Sequence, residues 1–221
     1  MKSSRSETEM SGFERKLRVL IVDDHPLIRD GVAALLAGNQ HMELVGEADS
    51  VVTAVQQFNA LRPDVTLMDL QLAGGSGIEA IAAIRREDPK ARILVLTTFA
   101  GDVRAKRALK AGAQGYLLKD KVRTELTREI RAVAQGSRTI DRDIAMQLAQ
   151  HASDDVMSMR EIQVLELVAK GKSNKQVADA LTITEGTVKN HVKTIMSKLQ
   201  ATDRTHAVVV AMARGIINGG Q

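Results

Sequence analysis

A chain of 221 residues can hold one large domain or two modest ones. Its 44% hydrophobic and 26% charged residues suit a globular protein in water, and its zero cysteines exclude both a disulfide framework and a thiolate metal site. The formal net charge of +4 points mildly to an anionic partner, and the surplus lies toward the end: nine Lys and Arg against six Asp and Glu from Asp155 onward, but 16 against 15 over residues 17–137. The opening MKSSRSETEMSGFERK is polar and has no apolar centre, so residues 1–15 read as a disordered lead-in and not as a signal peptide or anchor. No apolar run reaches the roughly 18 residues of a spanning helix. The expectation is a cytoplasmic protein with no membrane partner.

From Leu17 onward, short apolar runs alternate with amphipathic stretches. The run Leu17 to Val22 ends at Asp23-Asp24. A second strand is expected near Glu43–Ala48. Val65 to Met68 ends at Asp69, Arg92 to Leu96 ends at Thr97, and Tyr116 to Leu118 ends at Lys119. Helices are expected at about residues 27–36, 51–61, 78–87, 103–111 and 125–135, with Ser50 as an N-cap and Gly112 and Gly136 as closing residues. Short apolar runs between helices read as buried parallel strands, so about five βα units predict a doubly wound five-stranded parallel α/β sheet with helices on both faces. Around Ile144 and Leu148 a short linker helix is expected, followed by a break at Ser153-Asp154-Asp155. Four further helices, about 160–169, 174–181, 185–199 and 203–214, make a small all-α domain.

Ligands in an open parallel sheet gather beyond the carboxyl ends of the strands, near the reversal of strand order. The pattern therefore collects Asp23, Asp24, Asp69, the hydroxyl of Thr97 or its neighbour Thr98, and Lys119 at one sheet edge. Carboxylates about 4 Å apart repel by roughly 4 kcal/mol per pair at an effective dielectric near 20, so such a cluster takes up protons or binds a cation. All-oxygen ligands with open positions suit Mg²⁺, and a carboxylate beside it can attack phosphorus to give an aspartyl-phosphate. A single Asp after a strand is more often a turn residue. The joint placement of all these groups outweighs that reading.

Asp23-Asp24, Asp69, Thr97 and Tyr116-Leu117-Leu118-Lys119 resemble the receiver domain of bacterial two-component response regulators over residues 17–136. The resemblance implies a flavodoxin-like fold, Asp69 as the phosphoacceptor charged by a sensor histidine kinase, and Mg²⁺ held by Asp23, Asp24, Asp69 and the Gln71 main-chain carbonyl. It further implies Thr97 as the switch hydroxyl, Lys119 as its charged companion and Tyr116 as the switch aromatic. Leu72-Ala73-Gly74 departs from the Met-Pro-Gly common after the acceptor, which predicts a less rigid loop. Other phosphate chemistries fit less well. A haloacid-dehalogenase-like phosphatase would carry a second Asp where Gln71 stands, and Glu166 stands where a P-loop ending in Gly171-Lys172-Ser173 needs its first glycine. Gly74-Gly75-Ser76-Gly77 reads as a turn.

In the last part, two helices meet at Thr182-Ile183-Thr184, with Thr184 as N-cap. Val188, Val192, Ile195 and Leu199 form one apolar stripe, and Gly186, Lys189, Asn190, Lys193 and Ser197 form an opposite face without an acid. Lys can donate to guanine edges and Asn can bond adenine, so this face can read a major groove. The strings beginning Arg160-Glu161-Ile162, Gly171-Lys172-Ser173 and Thr187-Val188-Lys189 resemble the LuxR-type helix-turn-helix. That similarity implies base contacts from Lys189, Asn190 and Lys193, and phosphate contacts from Ser173, Asn174, Lys175 and Thr187. The whole chain is similar to NarL/FixJ-type response regulators: lead-in 1–15, receiver 16–136, linker 137–155 and DNA-binding domain 156–221. The implied protein is a phosphoacceptor transcription regulator and not an enzyme, binding double-stranded DNA as a homodimer.

Overall fold

Strand β1 (Leu17–Val22) lies inside the sheet, flanked by β2 (Met42–Ala48) and β3 (Val65–Asp69), and both pairings are parallel. The computed structural model describes residues 15–98, 101–151 and 157–217. Most of the expected lead-in and the break at Ser153-Asp154-Asp155 fall outside these residues. Beyond β3 the sheet continues with β6 (Ile93–Thr97) and β7 (Gly115–Leu118), giving the order β2-β1-β3-β6-β7. Every residue of β3, β6 and β7 is buried, which is why these strands read as unbroken apolar runs and not as alternating ones. The five expected strands all form. A sixth, the two-residue β8 (Thr139–Ile140), adds beyond β7 at the edge. It was invisible in the sequence because two residues carry no periodicity.

After β3 the chain makes a small antiparallel hairpin, β4 (Gln71–Leu72) with β5 (Gly75–Ser76). Ala73 and Gly74 form its turn, Gly75 and Ser76 belong to the returning strand, and the cross-strand pairing ties down the segment expected to be less rigid. Helices α1 (Pro26–Ala37), α2 (Val51–Leu61), α3 (Gly77–Glu87) and α5 (Val122–Ala134) fall within a residue or a turn of their expected places. Local chemistry sets their starts. Pro26 occupies the first turn of α1, where its missing N–H costs nothing. Ser50 caps α2 through Thr53, and Ser76 caps α3 with Glu79 completing the box. Gly112 and Gly136 adopt φ of +116° and +86° where helices close.

The described chain divides into two compact units. The first holds residues up to Leu96 together with Gly112–Thr139, and the second holds Thr97–Ala111 together with Ile140 onward. The core of the first unit is built by Val19, Ile21, Val65, Leu67, Leu94 and Leu117 of the sheet against Val32 and Leu36 of α1 and Leu126, Ile130 and Val133 of α5.

The second unit contains α4 (Asp102–Ala111), α6 (Arg142–Gln150), α7 (Met159–Ala169), α8 (Asn174–Leu181), α9 (Glu185–Lys198) and α10 (Arg204–Ala213). Val164, Leu165, Val177, Val188, Ile195, Ala207 and Ala211 form its apolar centre, with Val192 packed on the margin. The stripe expected on α9 therefore faces the core. Ser158 caps α7 through the Glu161 N–H, and the Glu161 carboxylate returns to the Ser158 N–H at 2.6 Å while meeting Lys198 Nζ at 3.0 Å. One buried acid thus joins the start of α7 to the last turn of α9.

Burial pushes the Glu161 carboxyl up, but the Ser158 N–H, the Lys198 hydrogen bond and the Lys198 charge outweigh it, and the group sits below its ordinary value. A depressed folded-state value stabilises the fold above the ordinary value, and that contribution is lost as pH falls through the depressed one. Melts of the full chain followed by circular dichroism from roughly pH 6 down to roughly pH 3 should lose less stability in Glu161→Gln than in wild type.

Candidate functional site

Strand order reverses between β1 and β3, because β2 lies on one side of β1 and β3 on the other. Val22 pairs with Met68, so Asp23 and Asp69 emerge side by side at the carboxyl ends of neighbouring strands. Asp69 in turn pairs with Leu96, the residue before Thr97. Thr97 ends β6 and Lys119 follows β7, so all the expected groups stand at the same edge, and Thr97 is fully buried.

Lys119 Nζ lies 2.7 Å from Asp23 Oδ2 and 2.8 Å from Asp69 Oδ2. Asp23 and Asp69 are 1% and 3% exposed, so both charges depend on that shared ammonium. Burial pushes the Asp69 carboxyl up and the Asp23 charge adds to this, while Lys119 and a main-chain hydrogen bond from Gln71 oppose it; the net shift is upward. Burial alone would lower the Lys119 ammonium, but its hydrogen bonds and charge pairing with Asp23 and Asp69 carry it above its ordinary value. Tyr116 lies buried within β7, three residues before Lys119.

The sequence reading missed His25. Its Nδ1 is 2.7 Å from Asp24 Oδ1 and 3.4 Å from Asp23 Oδ1, and its main-chain N–H donates to Asp23 Oδ1 at 3.0 Å. Its position directly after the acidic pair was the available signal. Asp23, Asp24, His25 and Asp69 each offer a ligand atom, all within 4.8 Å of one another. Three carboxylates against one ammonium leave two uncompensated negative charges, which fits a divalent cation. A second missed residue is Arg29 on α1, whose Nη1 donates to the Asp23 carbonyl at 2.8 Å while its Nε meets Glu47 Oε2 at 2.8 Å. It pins the loop carrying both acids to β2. Gly77 has a different duty: a Cβ there would collide with the Asp69 carbonyl, so only glycine lets α3 start so close to β3.

In the second unit, α8 and α9 form the expected helix-turn-helix, with Thr182 turning at φ +54° and Thr184 capping α9 through the Thr187 N–H. Lys189, Asn190, Lys193 and Ser197 are exposed on one face. One expectation is corrected: Glu185 Oε1 lies 3.4 Å from Lys189 Nζ one turn later, so the face is not free of acid. The i, i+4 spacing of Glu185 and Lys189 is present in the sequence and was the available signal. Ser173 caps α8 by accepting from the Gln176 N–H, Lys175 is exposed, Asn174 and Thr187 are half-buried, and the Thr187 hydroxyl shares a 2.9 Å hydrogen bond with Thr184. Among the described residues, no helix is long and apolar enough to cross a membrane.

Residues 19–131 match the family described as response regulator receiver domain, and residues 155–211 match bacterial regulatory proteins of the luxR family. Transcriptional regulatory protein LiaR from Bacillus subtilis is 38% identical over 210 residues, spanning 91% of this chain and 100% of LiaR. Response regulator protein VraR from Staphylococcus aureus is 34% identical over 206 residues, spanning 91% and 99% of the two chains. The structure of RcsB from Salmonella enterica serovar Typhimurium, bound to a promoter in the presence of the phosphomimetic BeF3−, is similar with a TM-score of 0.70 at 26% identity, covering 90% of this chain and 99% of that one.

The Arg29 tether is open to direct measurement. Groups that orient metal ligands from behind commonly change affinity 10- to 100-fold, so Arg29→Met should weaken divalent-cation binding at this acidic cluster by about tenfold in calorimetric titration with little change in melting temperature.

Proposed function

Because the chain belongs to the response regulators that join a receiver domain to a luxR-type helix-turn-helix, a family of transcription regulators and not of enzymes, we propose that Asp69 is its phosphoacceptor and that phosphorylation governs DNA binding. The observation that carries this reading is the Lys119 ammonium held 2.7 and 2.8 Å from Asp23 and Asp69 at the reversal of strand order.

A phosphohistidine of a sensor kinase presents its phosphorus to an Asp69 oxygen. The new O–P bond forms as the N–P bond breaks, and the electron pair leaves with the imidazole nitrogen. Lys119 favours the ionised carboxylate that serves as nucleophile, against the upward push of burial. Asp23, Asp24, Asp69 and the Gln71 carbonyl are the residues that would hold Mg²⁺, which would supply positive charge to the phosphoryl oxygens. Lys119 contributes to the same stabilisation, and the Thr97 hydroxyl turns toward the phosphoryl group. Tyr116, on the strand that ends at Lys119, follows that movement.

On the DNA side, Lys189, Asn190 and Lys193 of α9 reach base edges, while Ser173, Asn174, Lys175 and Thr187 hold phosphates. Two copies would read paired half-sites, in the manner of other dimeric helix-turn-helix proteins. The proposed division is lead-in 1–15, receiver 16–136, linker 137–155 and DNA-binding domain 156–221, supported by the two family matches. A regulator of this kind works in the cytoplasm, beside kinase and chromosome.

Acetyl phosphate with Mg²⁺ should phosphorylate the wild-type chain to a stoichiometric, slowly hydrolysing adduct detected by intact-protein mass spectrometry. Asp69→Asn should carry none, and equal labelling of that variant would remove Asp69 from its role. For the reading face, Lys189→Ala and Lys193→Ala should each weaken specific DNA binding by about 1–3 kcal/mol in fluorescence-anisotropy titration, and unchanged affinity in both would exclude this face.

A further inference from the structure

Helix α9 carries a glycine that its fold does not require. Gly186 is the second residue of the helix and is exposed. Its φ lies outside the left-handed region, unlike those of Gly112, Gly136 and Gly171. A Cβ built there would meet only the Thr184 hydroxyl oxygen, at 3.7 Å, an ordinary contact. Gly77, by contrast, is held to glycine by the Asp69 carbonyl. Glycine is the poorest helix former after proline, because it gives up the most backbone freedom on folding. Alanine at position 186 would therefore stabilise α9. Neither backbone conformation nor lack of room accounts for the residue that stands there, so the reason lies outside the chain.

Gly186 lies three and four residues before Lys189 and Asn190, so the three share one exposed face, while Val188 and Ile195 hold the other side of the helix in the core. In a helix-turn-helix the N-terminal residues of the second helix meet base edges in the major groove. To such an edge glycine presents no side-chain donor, no acceptor and no bulk, only its Cα hydrogens. Adenine, guanine and cytosine offer polar atoms there, which lose water against an apolar surface without gaining a partner. Thymine alone also offers an apolar group, the C5 methyl. We propose that Gly186 selects thymine at one base pair of each half-site, its missing side chain leaving the space that the methyl fills against the main chain of α9. This rests on the reading face proposed above and gives a base to a residue which that reading left without one.

The test uses the full chain, treated with acetyl phosphate and Mg²⁺, and the DNA duplex that wild type then selects from a random-sequence library. Each thymine of that duplex is replaced in turn by uracil, which removes the methyl and leaves the rest of the major-groove edge intact. Wild type and Gly186→Ala are titrated by fluorescence anisotropy, and each is melted. The variant should melt no lower than wild type, so that lost affinity is not lost fold. Wild type should bind about fourfold more weakly when uracil replaces the thymine facing Gly186, the worth of one buried methyl group. Gly186→Ala should bind the thymine duplex at least about fivefold more weakly than wild type, because the added Cβ and the methyl claim one space. It should regain affinity on the uracil duplex, reversing the sign of the methyl effect at that position. If no thymine shows this reversal, or if Gly186→Ala binds the thymine duplex as tightly as wild type, the thymine assignment is overturned. A variant that melts below wild type overturns it as well, since the fold would then need the glycine. A library from which wild type enriches no duplex overturns the reading face itself, and the assignment with it.

Discussion

The ammonium of Lys119, shared by Asp23 and Asp69, is the interaction on which the first unit's chemistry depends. Two carboxylates brought together at adjacent strand ends would repel by several kcal/mol in a medium of low effective dielectric. The sheet places them there regardless, because the register of β1 on β3 leaves no choice. Lys119 arrives from β7, two places further along the sheet, and only its long stem lets one charge answer both acids. The tension left over is visible in the upward shift of Asp69 and in the two negative charges that remain uncompensated. A site in this condition suits a divalent ion. It is held ready by the packing of five strands.

Much of this was legible before any coordinates. Buried parallel strands announce themselves as continuous apolar runs, so the residues closing four of those runs could be placed together at one sheet edge. Capping residues did the same for the helices: Ser50 and Thr184 stand where their hydroxyls meet the N–H groups expected of them. What escaped were features without a period. The two-residue β8 forms only because β7 offers an edge, and the hairpin after Asp69 depends on pairing across a turn. His25 and Arg29 were missed for another reason. A lone His after an acidic pair and a lone Arg on a helix look like solvated side chains, and only the folded loop shows them gripping Asp24 and the Asp23 carbonyl.

The helical module relies on a similar economy of charge. Glu161 closes the cap of α7 and also meets Lys198 in the last turn of α9, so the second helix of the helix-turn-helix is anchored at its C-terminal end. That anchorage leaves Lys189, Asn190 and Lys193 on an open surface while Val188 and Ile195 secure the other side in the core. Glu185, one turn before Lys189, gives that lysine a weak local companion.

Tyr116 is the only tyrosine of a chain that has no tryptophan, and it lies buried on the strand that delivers Lys119. Excited at wavelengths that phenylalanine does not absorb, the protein's intrinsic emission therefore originates in one phenol ring, on the strand that leads to Lys119. The molecule carries its own optical probe: rearrangement around that ring alters its brightness. Few proteins of this length allow one half to be watched through a single native chromophore with no dye attached.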